Sequence, residues 1–140
     1  MGIQSKTERS KFSRLRQSLF QLMEEMKGLI ELFFSDQPVI KGTVYELKRK
    51  CGKPGCKCAR GELHGRYVVS ASERGKTRLR AIPRGFLVET QQKVKRYQEL
   101  RRSRSRVVEI HRQMLKVMDE MEAMRREELQ DSHGSGDFRE

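Results

Sequence analysis

The sequence contains no tryptophan, three tyrosines and six phenylalanines, and hydrophobic residues make up 35% of its 140 residues against 36% charged ones. This scarcity of apolar residues excludes a large globular core, so a small module needs a metal, an oligomer or long helix packing. No apolar run approaches the ~20 residues that span a bilayer. The polar start, MGIQSKTERSKF, lacks the apolar segment of a secretory signal. We therefore expect a cytoplasmic protein without membrane segments.

Cysteine is also scarce, and acidic residues are few for a chain this rich in bases. The three cysteines lie within eight residues, which excludes a disulfide framework and favours metal binding in a reduced compartment. There are 31 Lys plus Arg against 19 Asp plus Glu, a net charge of +12. Such a field attracts nucleic acid, anionic lipid or an acidic protein surface, and does not choose between them by itself.

The N-terminal part predicts a short disordered segment, residues 1–6, and then a helix over residues 7–35. Apolar residues recur there at alternating steps of three and four, as in the seam of a coiled coil: Phe12, Leu15, Leu19, Leu22, Met26, Leu29 and Phe33. Pro38 ends the helical pattern. Phe20, Ile30 and Phe34 widen the apolar stripe, so we expect the end of this helix to pack against the central module.

Residues 41–84 lose helical periodicity and predict a β module with strands over residues 43–49, 66–72 and 76–82. The last two strands are joined at Glu73-Arg74-Gly75, where glycine allows a positive φ. In the third strand the period of two places Lys76, Arg78 and Arg80 on one face and Thr77, Leu79 and Ala81 on the other.

A second helix is predicted over residues 84–129, followed by a disordered, Gly/Ser-rich tail over residues 131–140. Its later half repeats the three-four seam: Val107, Ile110, Met114, Val117, Met121 and Met124. The earlier half does not continue that register, which predicts a phase shift near the basic run of residues 101–106.

The fold class is therefore α+β, with the β module inserted between two long helices. At ~1.5 Å per residue the first helix is about 40 Å long and the second nearly 70 Å. Folded back as an antiparallel, coiled-coil-like hairpin, they leave about twenty residues of the second helix overhanging. The Met/Val seam of that overhang predicts a homodimer.

The sequence CGKPGCKCARGELHG holds three thiols and one imidazole in fourteen residues: Cys51, Cys56, Cys58 and His64. These ligands are a full tetrahedral set for a structural zinc ion. Surrounding glycines allow the tight turns that so short a loop requires. The alternatives are an unmetallated loop, or a catalytic thiol, for which no placed base is evident. We expect structural Zn²⁺ and no enzymatic activity.

Most of the excess charge lies in residues 41–84, which contain thirteen Lys or Arg and three Glu and so have a net charge of +10. A merely solvated face fits this segment poorly, and we expect nucleic acid, DNA in particular, to bind here. Tyr45 and Tyr67 either stack on bases or pack the hairpin. A two-stranded ribbon fits the major groove of a duplex. The candidate contacts are Lys48, Arg49, Lys50, Lys53, Lys57, Arg60, Arg66, Arg74, Lys76, Arg78 and Arg80, with Arg101, Arg102 and Arg104 on the helix.

The middle of the chain resembles a family of small bacterial and archaeal proteins with a domain of unknown function. Its pattern is C-G-K-P-x-C-x-C, then H-G-P-Y, then G-K-T-R before a proline. The matching residues are Cys51, Gly52, Lys53, Pro54, Cys56, Cys58, His64, Gly65, Tyr67, Gly75, Lys76, Thr77, Arg78 and Pro83. The sequence departs from it at Arg66, where the family has proline. The resemblance implies no activity.

The alternative to nucleic-acid binding is an adaptor whose helix seams bind a larger protein complex.

Zinc content tests the metal hypothesis directly. We expect the purified protein to hold one zinc ion per chain, and Cys58→Ser to remove it together with much of the fold, because structural zinc contributes folding free energy. Metal analysis and a melting curve measure both effects. A metal-free protein that is fully folded contradicts the site.

Overall fold

A computed structural model describes residues 2–49, Gly55 and residues 64–130. Helix α1 (Lys6–Glu31) continues into a short 3-10 helix (Leu32–Phe34), then come strands β1 (Thr43–Arg49), β2 (His64–Glu73) and β3 (Lys76–Ala81), and finally helix α2 (Leu87–Arg125). The strands form one antiparallel sheet in the order β1-β2-β3. The predicted α+β class, with two helices and three strands, is confirmed. The predicted disordered tail, residues 131–140, lies outside the described residues.

A capping box begins α1. The Glu8 backbone N–H donates to Ser5 Oγ at 3.0 Å, and the Glu8 carboxylate accepts from the backbone N–H groups of Gln4 at 3.0 Å and Ser5 at 3.3 Å. The backbone donor of Gln4, and then that of Ser5, hold the pKa of Glu8 below its ordinary value. The helix and its cap thus lie partly within residues 1–6, the segment that the sequence predicts to be disordered.

The sheet is held by regular antiparallel pairing and one tight turn. Val44 pairs with Val69 on one side of β2, and Val69 pairs with Arg80 on the other. Arg74 and Gly75 join β2 to β3 with φ angles of 51° and 79°, which is the pattern of a type I′ hairpin. The predicted turn and its glycine are confirmed.

The chain divides into two compact units. Unit one contains Met1–Gly28 and Val107–Glu140, so it combines most of α1 with the later part of α2. Unit two is Leu29–Arg106, which includes the sheet and the first part of α2. No helix among the described residues is long and apolar enough to span a membrane.

In unit one the predicted seams of the two helices are their least exposed sides. Phe12 and Leu19 of α1 line a groove of about 430 Å³ together with Met118 and Met121 of α2. Gly2 lies beside the residues that follow α2, since a Cβ on Gly2 would lie 3.0 Å from the Glu127 carboxylate. These contacts place the first part of α1 beside the later part of α2, and the homodimer predicted from the seam of α2 stays a prediction.

In unit two the segment before β1 is attached to α2. The Ile40 backbone N–H donates to the Lys93 carbonyl at 3.2 Å, and the Arg96 guanidinium donates to the Pro38 carbonyl at 2.7 Å. Gln98 Nε2 donates to the Gly42 carbonyl at 3.3 Å. Gly42 is required there, because a Cβ would meet the Ser70 carbonyl oxygen at 2.6 Å. These bonds fix residues 38–42 against the helix.

The sequence predicts that the apolar end of α1 packs against the β module, but the structure leaves it exposed. Phe34 is 76% exposed, Phe33 is 47% exposed and Ile30 is 40% exposed. The described part of unit two buries two apolar side chains, Val68 in β2 and Val94 in α2. This core is too small to bury the apolar side chains at the end of the helix.

The phase shift predicted for α2 is present. Val94 and Ser103 are both buried and lie nine positions apart, a rotation of about 180° around the helix, whereas Ser103 and the buried Ile110 are seven positions apart and lie on the same side. Ser103 is buried within the basic run, and the arginines on either side of it are exposed. A single small residue thus takes the seam position there.

Ile110 is the one fully buried large side chain among the described residues, and unit one depends on it. We expect Ile110→Ala to lower the free energy of unfolding by about 2–5 kcal/mol, the range for large-to-small core substitutions. Chemical denaturation measures the change. Leu129→Ala, at a position that is 97% exposed, is the control and should change stability little. Equal effects of the two substitutions would contradict the assignment of Ile110 to the core.

Candidate nucleic-acid interface

One face of the sheet collects basic side chains, and strand register places them there. Lys76, Arg78 and Arg80 pair with Glu73, Ala71 and Val69 of β2. Directly paired residues of antiparallel strands point to the same side, so all six lie on one face. The alternation predicted for β3 is thus present. Tyr67 of β2 lies on the same face, as does Lys48 of β1, which pairs with Gly65. We call Lys48, Tyr67, Lys76, Arg78 and Arg80 the cationic face.

A single carboxylate holds the two arginines. Arg78 Nε lies 3.5 Å from Glu73 Oε2, and Arg80 Nη2 lies 3.3 Å from Glu73 Oε1. The arginine side chains are 63% and 72% exposed. Such exposed ion pairs contribute about 0.2–1 kcal/mol, so an anionic ligand can replace Glu73 at low cost. Glu73 positions the arginines side by side without neutralising both.

A groove of about 310 Å³ lies beside these arginines. Half-buried apolar side chains form part of its lining: Ile40, Val69, Ala71 and Ile82. The charged side chains of the lining are Lys41, Arg78 and Arg80, which are exposed, and Glu73, which is half-buried. Three cations against one carboxylate give the groove a net charge of +2. An anion attached to an apolar or aromatic group matches this combination.

The two tyrosines of the sheet lie on opposite faces. Tyr67 pairs with Glu46 and belongs to the cationic face, whereas Tyr45 pairs with the buried Val68 on the other. Tyr67 is 40% exposed. Its ring is therefore open to a ligand on the face that carries the arginines. Arg66 pairs with Leu47, so it lies on the opposite face and does not join the cationic face.

The arginines of α2 form a separate group in unit two. Arg101, Arg102 and Arg104 are exposed, and they flank the buried Ser103. The seam leaves them on the outer side of the helix. Their side chains are open to solvent, as phosphate contacts require. Arg74 is exposed at the β2–β3 turn.

Of the four predicted zinc ligands, His64 alone is among the residues that the structure describes. Cys51, Cys56 and Cys58 lie outside the described residues, as do Lys50, Lys53, Lys57 and Arg60. His64 is the first residue of β2, where its backbone pairs with Arg49. Within residues 2–49, Gly55 and 64–130, no group of three or more His, Cys, Asp or Glu is placed to hold a metal. The zinc site stays a prediction.

Sequence reasoning missed Lys41 and the role of Glu73. Lys41 precedes β1 as an isolated base, and nothing in its neighbours marks it. It reaches the groove because Arg96 and Gln98 hold residues 38–42 from positions 58 and 56 residues away. The position of Glu73 one residue before the turn was the available signal, since a two-residue hairpin turn places it opposite Lys76.

Comparison with known proteins adds a family. The model of a family described as "Domain of unknown function (DUF6788)" matches residues 12–93. The match spans most of α1, the whole sheet and the start of α2. No curated protein and no solved structure matches the chain. The expected membership of an uncharacterised family is confirmed, and the motif quoted for it stays an interpretation.

Proposed function

We propose that this protein, which belongs to the DUF6788 family, binds nucleic acid through the cationic face of its sheet and the adjoining groove. The observation that carries the proposal is the pair Arg78 and Arg80, held side by side on Glu73 beside a groove with a partly apolar lining. Guanidinium groups bind phosphate with two parallel N–H donors. Two adjacent, exposed arginines therefore suit neighbouring phosphates of one strand.

The exposed ring of Tyr67 extends the same surface toward bases. Proteins that bind single strands combine a positive groove with aromatic side chains on which bases stack. Tyr67, the groove and the arginines share one face of the sheet, which supports an unpaired strand as the ligand. Alternatively, the β2–β3 hairpin binds in the major groove of duplex DNA. Measuring the affinities for single-stranded DNA, duplex DNA and RNA distinguishes these two kinds of ligand.

The proposal also includes the zinc site, the helical hairpin, the dimer and the helix arginines that the sequence predicts. Structural zinc on Cys51, Cys56, Cys58 and His64 holds the loop between β1 and β2, and the reduced cytoplasm suits such thiolates. The helices form an antiparallel hairpin that carries the sheet between them, and two copies associate. Arg101, Arg102 and Arg104 add phosphate contacts. No enzymatic step is part of the proposal.

The adaptor is the alternative function, and the exposed apolar side chains of unit two favour it. Phe33, Phe34 and Val88 are each 47–76% exposed. Exposed apolar residues of this size mark interaction sites when they form a patch. Neutralising Arg78 and Arg80 and, separately, breaking the helix seam at Met114 and Met121 distinguishes the two functions. If the seam change alone abolishes activity in cells, the adaptor is correct.

Removal of the two arginines tests the main proposal. We expect the double variant Arg78→Gln and Arg80→Gln to weaken binding about 10-fold or more and to lower the slope of log affinity against log salt by about 2, because two phosphate contacts are lost. Fluorescence anisotropy with labelled DNA and RNA at several salt concentrations measures both quantities.

The matched control for the double variant is Lys95→Gln with Lys116→Gln, two substitutions that remove the same charge from α2. It should reduce binding less. If none of single-stranded DNA, duplex DNA or RNA binds the unaltered protein at low salt, the proposal is wrong.

Glu73 provides a test in the opposite direction. We expect Glu73→Gln to strengthen binding by up to about 5-fold, because phosphate no longer competes with a carboxylate for the two arginines. Glu46→Gln is the control: it removes one negative charge from the same face, away from the arginine pair. Equal gains would show a general charge effect. Weaker binding by Glu73→Gln would show that the carboxylate is needed to position the arginines.

A further inference from the structure

We infer that a second copy of this chain covers one exposed apolar side of unit one. The side consists of Phe20 and Met23 on α1 and of Val108, Leu115 and Met118 on α2, which we call the flank face. These five side chains are between 42% and 60% exposed. The inference deepens the dimer included in the proposed function and does not rest on nucleic-acid binding.

Each residue of the flank face follows a seam residue by one position. Phe20 follows Leu19 on α1, and Met118 follows Val117 on α2. One residue corresponds to a rotation of about 100° around a helix. The flank residues therefore lie at the side of the contact between the helices, next to the seam.

The two stripes lie on the same side of the helix pair because α1 and α2 run in opposite directions within unit one. Gly2 lies beside Glu127, and Leu19 shares a groove with Met118. When two facing helices are antiparallel, a rotation of 100° in the chain direction carries both to the same side. The pair thus has one apolar side and one polar side, as a layer that packs on another layer does.

The extent of the flank face matches an interface between two chains. Large side chains present up to about 200 Å² each, so five of them exposed by about half present roughly 500 Å². An apolar patch of this size is among the largest that a monomer exposes, and such patches are often functional. A standard interface buries about 800 Å² per partner, and the polar residues around the flank face supply the remainder.

Charges at one end of the flank face favour a second copy over an unrelated partner. Arg16 precedes Phe20 by one helical turn, and Glu122 follows Met118 by one turn. They lie at the same level, because Glu122 lines the groove with Phe12 and Leu19, on either side of Arg16 in the chain. A two-fold axis along the helices places α1 of each copy on α2 of the other. Arg16 then meets Glu122 twice, and four helices enclose an apolar centre.

The present partners of these two charges are local and exposed. Arg16 lies over the Phe12 ring at 5.2 Å from its centroid, and Glu122 pairs with Arg126 at 3.2 Å. Exposed pairs of this kind contribute about 0.2–1 kcal/mol. They do not prevent a new pairing between copies.

The experiment measures association of the full chain by sedimentation velocity over a range of concentrations. We expect the unaltered protein to be a dimer and the double variant Phe20→Glu and Met118→Glu to raise the dimer dissociation constant at least about 30-fold, because it places charges in the interface. Phe34→Glu changes an equally apolar residue that lies in unit two and is 76% exposed. It should leave the dimer intact.

A charge exchange keeps the inference testable if the double variant does not fold. Arg16→Glu and Glu122→Arg should each weaken the dimer several-fold, and the two together should restore it. A monomer at all concentrations, or no rescue in the exchange, overturns the inference. Arg78→Gln with Arg80→Gln should not change association, so a failure of nucleic-acid binding and a failure of this interface are distinguishable.

Discussion

Helix α2 has a buried side whose residues are spaced by three and four positions along most of its length. Val94 is buried in unit two and Ile110 in unit one, sixteen positions apart, and this distance corresponds to a rotation of about 160° around the helix. The buried side of α2 therefore shifts around the helix axis between these two residues. One continuous helix can therefore take part in both units, with a different side buried in each.

This division leaves each unit with little core of its own. Val68 and Val94 are the apolar side chains buried in unit two, and Ile110 is the one buried in unit one, among the described residues. A domain of this size usually needs a metal or an oligomer when its core is small. The proposed zinc loop supplies the first of these to the sheet. The proposed second copy supplies the second to the helices.

The sheet gains its binding surface because so little covers it. Every residue of β3 is exposed, so Arg78 and Arg80 reach solvent instead of a core. Glu73 holds both of them through bonds weak enough to exchange. The small core and the open cationic face are thus two results of the same composition, which is rich in charge and poor in apolar residues.

Local patterns in the sequence were sufficient for the three strands, the β2–β3 turn, the helix seams and the alternation that places Lys76, Arg78 and Arg80 together, because strand and helix periods act over a few residues. Long-range bonds decided the rest. Residues 38–42 lie against α2 because Arg96 and Gln98 hold them, and this brings Lys41 to the groove. Phe12 and Leu19 of α1 share a groove with Met121 of α2, whereas the flank face stays exposed. Periodicity identifies the apolar sides of a helix, but only the packing of distant segments selects which of them is buried.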